Sequence, residues 1–481
     1  MGAVADMPLS ASRTRGVAVV GGGIAGLAAA YELAKMQREG TALRFTLFEA
    51  SSRLGGIVET HREDGFVVEC GPDGWVTEKP WAQALVEELG LADEIIPSKD
   101  AERKTWVLRD NRLHAIPDGM RMMIPTDMDA LRGSDLFSES AIAAYAAEPA
   151  RAEELRTYAA AHADEDESVS AFVRRHFGDE VTQTIAAPLL AGVFGGDVEA
   201  LSVRAVMAPF VALESEHGSL ITALQMRTKK QGAQSIFTTL RSGTGTLVDR
   251  MAASLPAGSI RIETQVERIA RDGDGWLLTT NTSGVAEHFD VVMLAVPAHV
   301  ARVLLQTVDA ESASLLAMDA SSAIIVGLGF DAEQAASLRL PQGFGFLVPP
   351  HTKGVDLLAG TFSDQKYSDR VPAGGRSMRL FFGGAAGARL QGDDDDALVD
   401  RAREQAETIL GMTLPPARIT LVRRWPRSLP QYLVGHGERM QRLQDRVDAM
   451  PGLMLLGNAY RGVGLPDLIR DGRAAARSLV S

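Results

Sequence analysis

The chain of 481 residues contains one cysteine, Cys70. A lone thiol excludes an internal disulfide, a cysteine-based metal cluster and a C-x-x-C redox pair, so electron chemistry, if present, must come from a bound cofactor. Cationic residues are also short. With 49 Lys and Arg against 62 Asp and Glu, the net charge is −13, which argues against a nucleic-acid polymer as the main partner, because phosphate binding needs an excess of Lys and Arg on one face. No run of about 20 apolar residues occurs, and no membrane-spanning helix is expected. The nine histidines are scattered. There is no H-E-x-x-H, no paired set of His ligands and no Ser-His-Asp set. His61, His114, His176 and His436 therefore read as structural, no metal is expected, and no catalytic residue or general base is nominated.

What the chain does have is a hydrophobic content of 46% with 23% charged residues, the balance of a soluble globular protein. Its length exceeds one ordinary core, so two or three packed units built from interleaved segments are expected. The stretch VAVVGGGIAGLAAAYELA, residues 17 to 34, has the hydropathy of a signal peptide. Three consecutive glycines argue against a helical apolar region there, and a buried strand over 17 to 20 explains the same residues. A cytoplasmic protein is expected.

Gly21, Gly23 and Gly26 fall on the G-x-G-x-x-G spacing between that strand and a helix. The first glycine makes the tight turn, the second lets backbone approach a pyrophosphate, and the third allows close helix–strand packing. RFTLFEA, residues 44 to 50, supplies a second strand ending in Glu49, an acid placed to bind ribose hydroxyls and to repel a 2′-phosphate. SSRLGG follows, with Arg53 beside the pyrophosphate and Gly55 and Gly56 letting the chain pass close to a flavin. This extended fingerprint resembles FAD proteins of the amine-oxidase type. A second glycine turn stands near the end, in LLGNAYRGVGLPDLIRDGRAAA, residues 455 to 476. It leads into a closing helix whose N-terminus suits the negative charge of a reduced flavin. The two turns would hold opposite ends of one FAD, with Val463, Gly464 and Leu465 at the isoalloxazine, although a simple helix cap would account for the same glycines.

At this level of detail the sequence resembles the flavin-dependent porphyrinogen oxidases of haem synthesis, the protoporphyrinogen and coproporphyrinogen III oxidases. The resemblance runs through GGGIAGLAAAYEL, EASSRLGG, ECGPDGW, ESVSAFVRRHFGDEV, APLLAGVFGGDVEALS, GFGFLVPP, RRWPRSLPQYLVGH and LLGNAYRGVGLPD, in that order along nearly the whole chain. It implies noncovalent FAD and a reaction that removes hydrogens from a porphyrinogen in two-electron steps, with O2 reduced to peroxide. It also implies FAD contacts at Gly21, Gly22, Gly23, Ile24, Ala25, Gly26, Glu49, Ala50 and Ile57, and a flavin-side lining of Gly71, Pro72, Asp73 and Gly74. Val266 would meet the adenine through its backbone, and Trp425 would pack by the cofactor. Phe344, Phe346 and Phe362 become candidate walls for the pyrrole rings, and Lys366 a candidate substrate residue.

The implied fold is α/β: a Rossmann-like FAD-binding domain from residues 12–90, 241–300 and 441–481, a helical subdomain over 91–210, and a mixed-sheet substrate domain from 211–240 and 301–440. In membrane-associated relatives the helical part rests on the bilayer. Here DEDE at 164 to 167 suits a solvated face better, and peripheral membrane contact stays open. Coproporphyrinogen III, with four propionates, is favoured slightly over protoporphyrinogen IX. Two other readings share the fold: a flavin oxidase of amines or polyenes, and a non-enzymatic prenyl-protein carrier. YRGVG offers no Cys beside the flavin for the first, and both glycine turns are retained against the second.

Overall fold

The structure, a computed structural model, describes residues 14–228, 235–350 and 352–480. Residues 12–13 and 229–234, assigned in the sequence to the FAD-binding and substrate domains, lie outside the described residues. The apolar run after Arg15 forms β1 (Arg15–Val20), followed by α1 (Ile24–Arg38) and β2 (Leu43–Phe48). Three later strands, β3 (Ile260–Arg261), β4 (Val291–Leu294) and β5 (Leu453–Leu455), complete a parallel sheet in the order β3-β2-β1-β4-β5. Val17, Val19, Val292 and Leu294 are fully or almost fully buried, as expected of parallel strands covered on both faces.

The last helix, α2 (Leu465–Arg477), lies against α1. Their contact is close because Gly472 has no side chain: a Cβ there would stand 2.3 Å from the Ala25 carbonyl oxygen. Arg473 and Arg477 of α2 donate to the buried Glu32 of α1 at 2.5 and 2.7 Å, and Arg473 also donates to Glu88 at 2.7 Å. Helices α1 and α2 are thus joined by packing and by ion pairs to a buried carboxylate.

Beside this unit stands a seven-stranded mixed sheet. Its order is Ile419–Pro430, Ala320–Phe330, Arg376–Phe382, Leu357–Phe362, Gly345–Leu347, Thr105–Arg109 and Arg112–Ala115, antiparallel except where Gly345–Leu347 meets Thr105–Arg109. The last two strands correct the sequence boundary, which placed residues 105–115 in the helical subdomain. A helix, Asp395–Leu410, covers one face through Leu398, Ala402, Ala406 and Ile409. Asp394 caps it by accepting from the Ala397 N–H at 2.8 Å, which explains the DDDD run as helix-start chemistry.

A helical unit has its own core around Tyr145, Phe172, Phe177, Ile185, Leu190 and Leu213. Helices Ala208–His217 and Leu220–Thr228 belong to it, so the substrate domain does not begin at residue 211. Pro149 opens a short 3₁₀ turn between helices Glu139–Ala147 and Ala152–Ala161, since its ring cannot continue a helix from the preceding turn. His176 is fully buried here, with Nδ1 3.0 Å from Glu148 and Nε2 3.0 Å from Glu214. Burial lowers its pKa, but the two carboxylates outweigh that and raise it. The ring ties three helical segments together. Among the described residues no helix is long and apolar enough to cross a membrane.

Candidate active site

The chain gathers its candidate residues where β1, β4 and β5 end. Gly21 turns the chain with φ +104°, and a Cβ on it would stand 2.4 Å from the Ala295 carbonyl oxygen. A Cβ on Gly26 would stand 2.0 Å from the Gly21 carbonyl. Backbone occupies both directions, so only glycine fits. Gly23, the N-cap residue of α1, is different: a Cβ there meets nothing within 4 Å. The free N–H groups at the start of α1 therefore open onto space, the arrangement that accepts an anion.

Glu49, just past β2, reaches this turn. Its Oε2 accepts from the Gly22 N–H at 2.7 Å and its Oε1 from Ser51 N and Oγ at 2.8 Å. Its backbone carbonyl accepts from Thr264 N at 2.8 Å, which sets Val266, at the start of strand Val266–Asp272, near the end of β2. Gly55 bridges to Gly23 and its N–H donates to the Gly22 carbonyl at 2.8 Å. Gly56 stands against the Gly23 Cα. Ala50 is exposed and Ile57 half-buried. The Arg53 guanidinium donates to the Leu54 and Gly56 carbonyls, pairs with Glu59 at 3.2 Å and lies 5.5 Å from the Trp425 ring centroid. Trp425 donates from Nε1 to the Cys70 carbonyl at 2.6 Å, so these two residues and the 70–74 turn form one wall.

That turn is crowded by design of its glycines. A Cβ on Gly71 would meet the Ile57 carbonyl at 1.9 Å, and one on Gly74 would meet the Thr238 carbonyl at 2.5 Å and Tyr367 Oη at 2.6 Å. The Pro72 carbonyl accepts from Thr244 Oγ1 at 3.2 Å. Asp73 is held by Lys366 Nζ at 3.0 and 2.9 Å and by Arg379 Nη2 at 2.6 Å. Burial would raise its pKa, but the Lys366 and Arg379 charges prevail and hold it at about 2. Arg370, 2% exposed, donates to Glu69 at 3.1 Å and to Thr239 at 2.8 Å. Three cations thus stand behind the turn against two carboxylates. Burial, with Glu59 beside it, pushes the Cys70 thiol up to about 11.

The closing turn faces the same region from β5. Gly462 has φ +147°. Its N–H donates to Tyr432 Oη at 3.1 Å, and that hydroxyl donates to the Asn458 carbonyl at 2.5 Å. Gly464 is the N-cap of α2; Val463 and Gly464 are half-buried and Leu465 is buried. Asp467, 7% exposed at its side chain, pairs with Lys79 Nζ at 2.5 Å. Its Oδ2 is the first atom that a Cβ on Gly464 would meet, at 3.2 Å.

Of the substrate candidates, Lys366 is at the 69–74 turn, held by Asp73. Phe346 and Phe362 are 1% and 0% exposed and belong to the core between the mixed sheet and helix Asp395–Leu410. They present no surface to a ligand, which corrects their assignment as pyrrole walls. Phe346 alternates onto the covered face of its strand, lying across Gly360. Phe344 is 8% exposed and its N–H donates to the Lys104 carbonyl at 2.7 Å. Lys366 has its charge compensated by Asp73 and its ammonium over the Phe237 ring at 4.7 Å, so a free anchor for a substrate carboxylate is not found there. Arg370 stands with Lys366 in TFSDQKYSDR, a stretch that resembles the coproporphyrinogen branch, whereas Arg379, Tyr432 and the Lys79–Asp467 pair are not singled out by the sequence. Tyr432 lies within the quoted RRWPRSLPQYLVGH segment, and Asp467 in the first turn of a helix is a recognisable placement. Nothing local marks Lys79, whose partner is 388 residues away.

A family model described as flavin containing amine oxidoreductase matches residues 24–480. The coproporphyrinogen III oxidase of Bacillus subtilis (strain 168) is 32% identical over 470 residues, covering 95% of this chain and 96% of its own. That of Staphylococcus aureus (strain NCTC 8325 / PS 47) is 28% identical, covering 97% and 99%. Protoporphyrinogen oxidase 1, chloroplastic, of Arabidopsis thaliana is 27% identical, covering 93% and 84%. Among solved structures, one from Exiguobacterium sp. 255-15 superposes with TM-score 0.82 at 32% identity, covering 98% of this chain and 99% of that one. Cyclohexylamine oxidase from Brevibacterium oxydans IH-35A shares the fold at TM-score 0.68 and 15% identity, covering 97% and 98%.

Proposed function

Because this chain belongs to the flavin containing amine oxidoreductase family, we propose that it is an FAD-dependent oxidase converting a porphyrinogen to the porphyrin, with coproporphyrinogen III as its substrate. Two of the relatives above, those of Bacillus subtilis and Staphylococcus aureus, carry that substrate in their names and match nearly end to end. The observation that carries the reading in the structure is the placement of two helix N-termini, those of α1 and α2, after glycine turns that follow the C-terminal ends of β1 and β5 in one parallel sheet.

The residues fit the cofactor. The space at Gly23 and the free N–H groups of α1 would take the pyrophosphate, with Gly21, Gly22, Ile24, Ala25 and Gly26 forming the cradle. Glu49 would accept from the ribose hydroxyls, and the Val266 backbone would border the adenine. Ala50, Arg53, Gly55, Gly56 and Ile57 would line the passage to Trp425. Gly71, Pro72, Asp73 and Gly74 would back the isoalloxazine, with Val463, Gly464 and Leu465 at its opposite edge. Binding is noncovalent: Cys70 is fully buried, with its thiol held neutral far above pH 7.

The chemistry FAD would supply here is two-electron oxidation of the macrocycle, with O2 as the final acceptor and hydrogen peroxide as its product. The protein's share is alignment of the reacting carbon and exclusion of water. The excess cation behind the 69–74 turn favours negative charge on a group held against it, as does the N-terminus of α2. No side chain is assigned as a general base.

The test is anaerobic mixing of the FAD-loaded protein with coproporphyrinogen III. Bleaching of the flavin absorbance, restored on admitting O2, is expected. A flavin that stays oxidised with both coproporphyrinogen III and protoporphyrinogen IX overturns the assignment.

A further inference from the structure

Far from both glycine turns in sequence, a groove of about 680 Å³ runs between strand Val266–Asp272 and helix Ala298–Leu305. Small-molecule sites span roughly 300–1,000 Å³, so its size is that of a ligand site. Its charge is unusual for a chain of net charge −13. Arg268, Arg302 and Arg427 line it together with His299, against one acid, Glu267. None of the three guanidiniums has an ion-pair or hydrogen-bond partner among the described residues, whereas the arginines of the 69–74 turn and of α2 are all paired. Partial burial lowers the pKa of His299, and the Arg427 charge lowers it further.

Arg427 is held there by strained backbone. Its φ is +49°, a left-handed conformation that a bulky residue enters at a cost. The cause is a bulge in strand Ile419–Pro430, where the register against Ala320–Phe330 shifts between Ser321 and Ala323. The Arg427 N–H donates to Ser322 Oγ at 3.0 Å, which fixes the bulge. A regular strand would not set a guanidinium over helix Ala298–Leu305. Strain of this kind persists where the surroundings over-determine it and is concentrated at functional positions.

We propose that this groove is a binding site for a small multivalent oxyanion, separate from the cofactor and substrate sites. The shared chemistry is two or more phosphate or carboxylate groups, gripped by guanidiniums whose planar donors match oxyanions in pairs. The groove shares no residue with the Gly21–Gly26 turn, the 69–74 turn or the closing turn, but Glu267 follows Val266 and Arg427 stands two residues beyond Trp425, so the site borders the cofactor region and is tested with FAD in place.

The experiment is calorimetric titration of the FAD-loaded protein at low salt with pyrophosphate and, in parallel, with citrate. Saturable 1:1 binding of either is expected, and which binds better tells the phosphate source from the carboxylate source. Arg302→Gln and Arg427→Gln should each weaken binding by about 5-fold or more. Arg250→Gln, on an exposed helix position outside the groove, should leave it unchanged. Unaltered flavin absorbance in all three variants certifies that they are folded. Absence of binding by both probes to the wild-type protein overturns the site, as does an equal loss in Arg250→Gln. Capture on vesicles of anionic phospholipid without binding of either probe would also overturn it, since the surface would then be a membrane face.

Discussion

The two glycine turns do related work by different means. At the first, backbone dictates sequence: carbonyl oxygens of Ala295 and Gly21 fill the space where side chains at Gly21 and Gly26 would go. At the second, side chains from distant segments hold the backbone: Tyr432 fastens Gly462 and Asn458, and Lys79 neutralises Asp467 in the first turn of α2. A turn defined by excluded volume tolerates no substitution and is written in its own few residues. A turn defined by borrowed hydrogen bonds can be weakened step by step from outside.

This contrast can be broken at either end. The largest effect is expected from Gly26→Val, because the new side chain meets the Gly21 carbonyl at 2.0 Å and the Ala295 Cβ at 2.9 Å. A loss of about 3 kcal/mol or more is expected, measured by urea unfolding, together with loss of FAD. Near-wild-type stability in that variant would show that the first turn can shift. Gly464→Leu comes next. Its φ of −76° is ordinary and its nearest neighbour is the Asp467 carboxylate, so the fold should survive while FAD affinity falls by about 10-fold. Unchanged flavin content and turnover would reduce the closing turn to a helix cap.

Tyr432→Phe sharpens the comparison further. It removes the acceptor for Gly462 N–H and leaves the Asn458 carbonyl unpaired, at a cost of about 1 kcal/mol. The expected readout is a modest fall in melting temperature with a larger fall in FAD occupancy; equal occupancy would detach Tyr432 from the cofactor. Lys79→Gln should have the smallest effect on stability, under about 1 kcal/mol, since the lysine is 43% exposed. With Asp467 left to Arg470 alone, at 3.4 Å, the flavin reduction potential should fall, and an unchanged potential would place that pair outside the cofactor's field.

Much of the nucleotide fold is legible because its requirements are local. Strand, glycine turn and helix are consecutive in residues 15 to 38, and Gly26 answers to the carbonyl of Gly21 in the same turn. The terminal turn is readable from its glycines and the helix that follows them, although Tyr432 and Lys79, which hold it, come from other segments. What escapes is set by pairing across the chain. Thr105–Arg109 is read with the helical subdomain until Gly345–Leu347 arrives alongside it, more than 200 residues later. Lys366 looks like a free cation until Asp73, 293 residues away, takes it up. Phe346 and Phe362 illustrate a different limit: an aromatic in an apolar strand has the same sequence whether its face meets a helix or a ligand, and here helix Asp395–Leu410 covers it.

The central claim is oxidation of a porphyrinogen at the paired glycine turns. Its most direct test is porphyrin fluorescence followed while the FAD-loaded protein, in aerated buffer, receives coproporphyrinogen III or protoporphyrinogen IX in parallel. The account predicts an enzyme-dependent rise with both or with the first alone, faster with coproporphyrinogen III. No rise above the uncatalysed rate with either, in protein that holds its FAD, would contradict it.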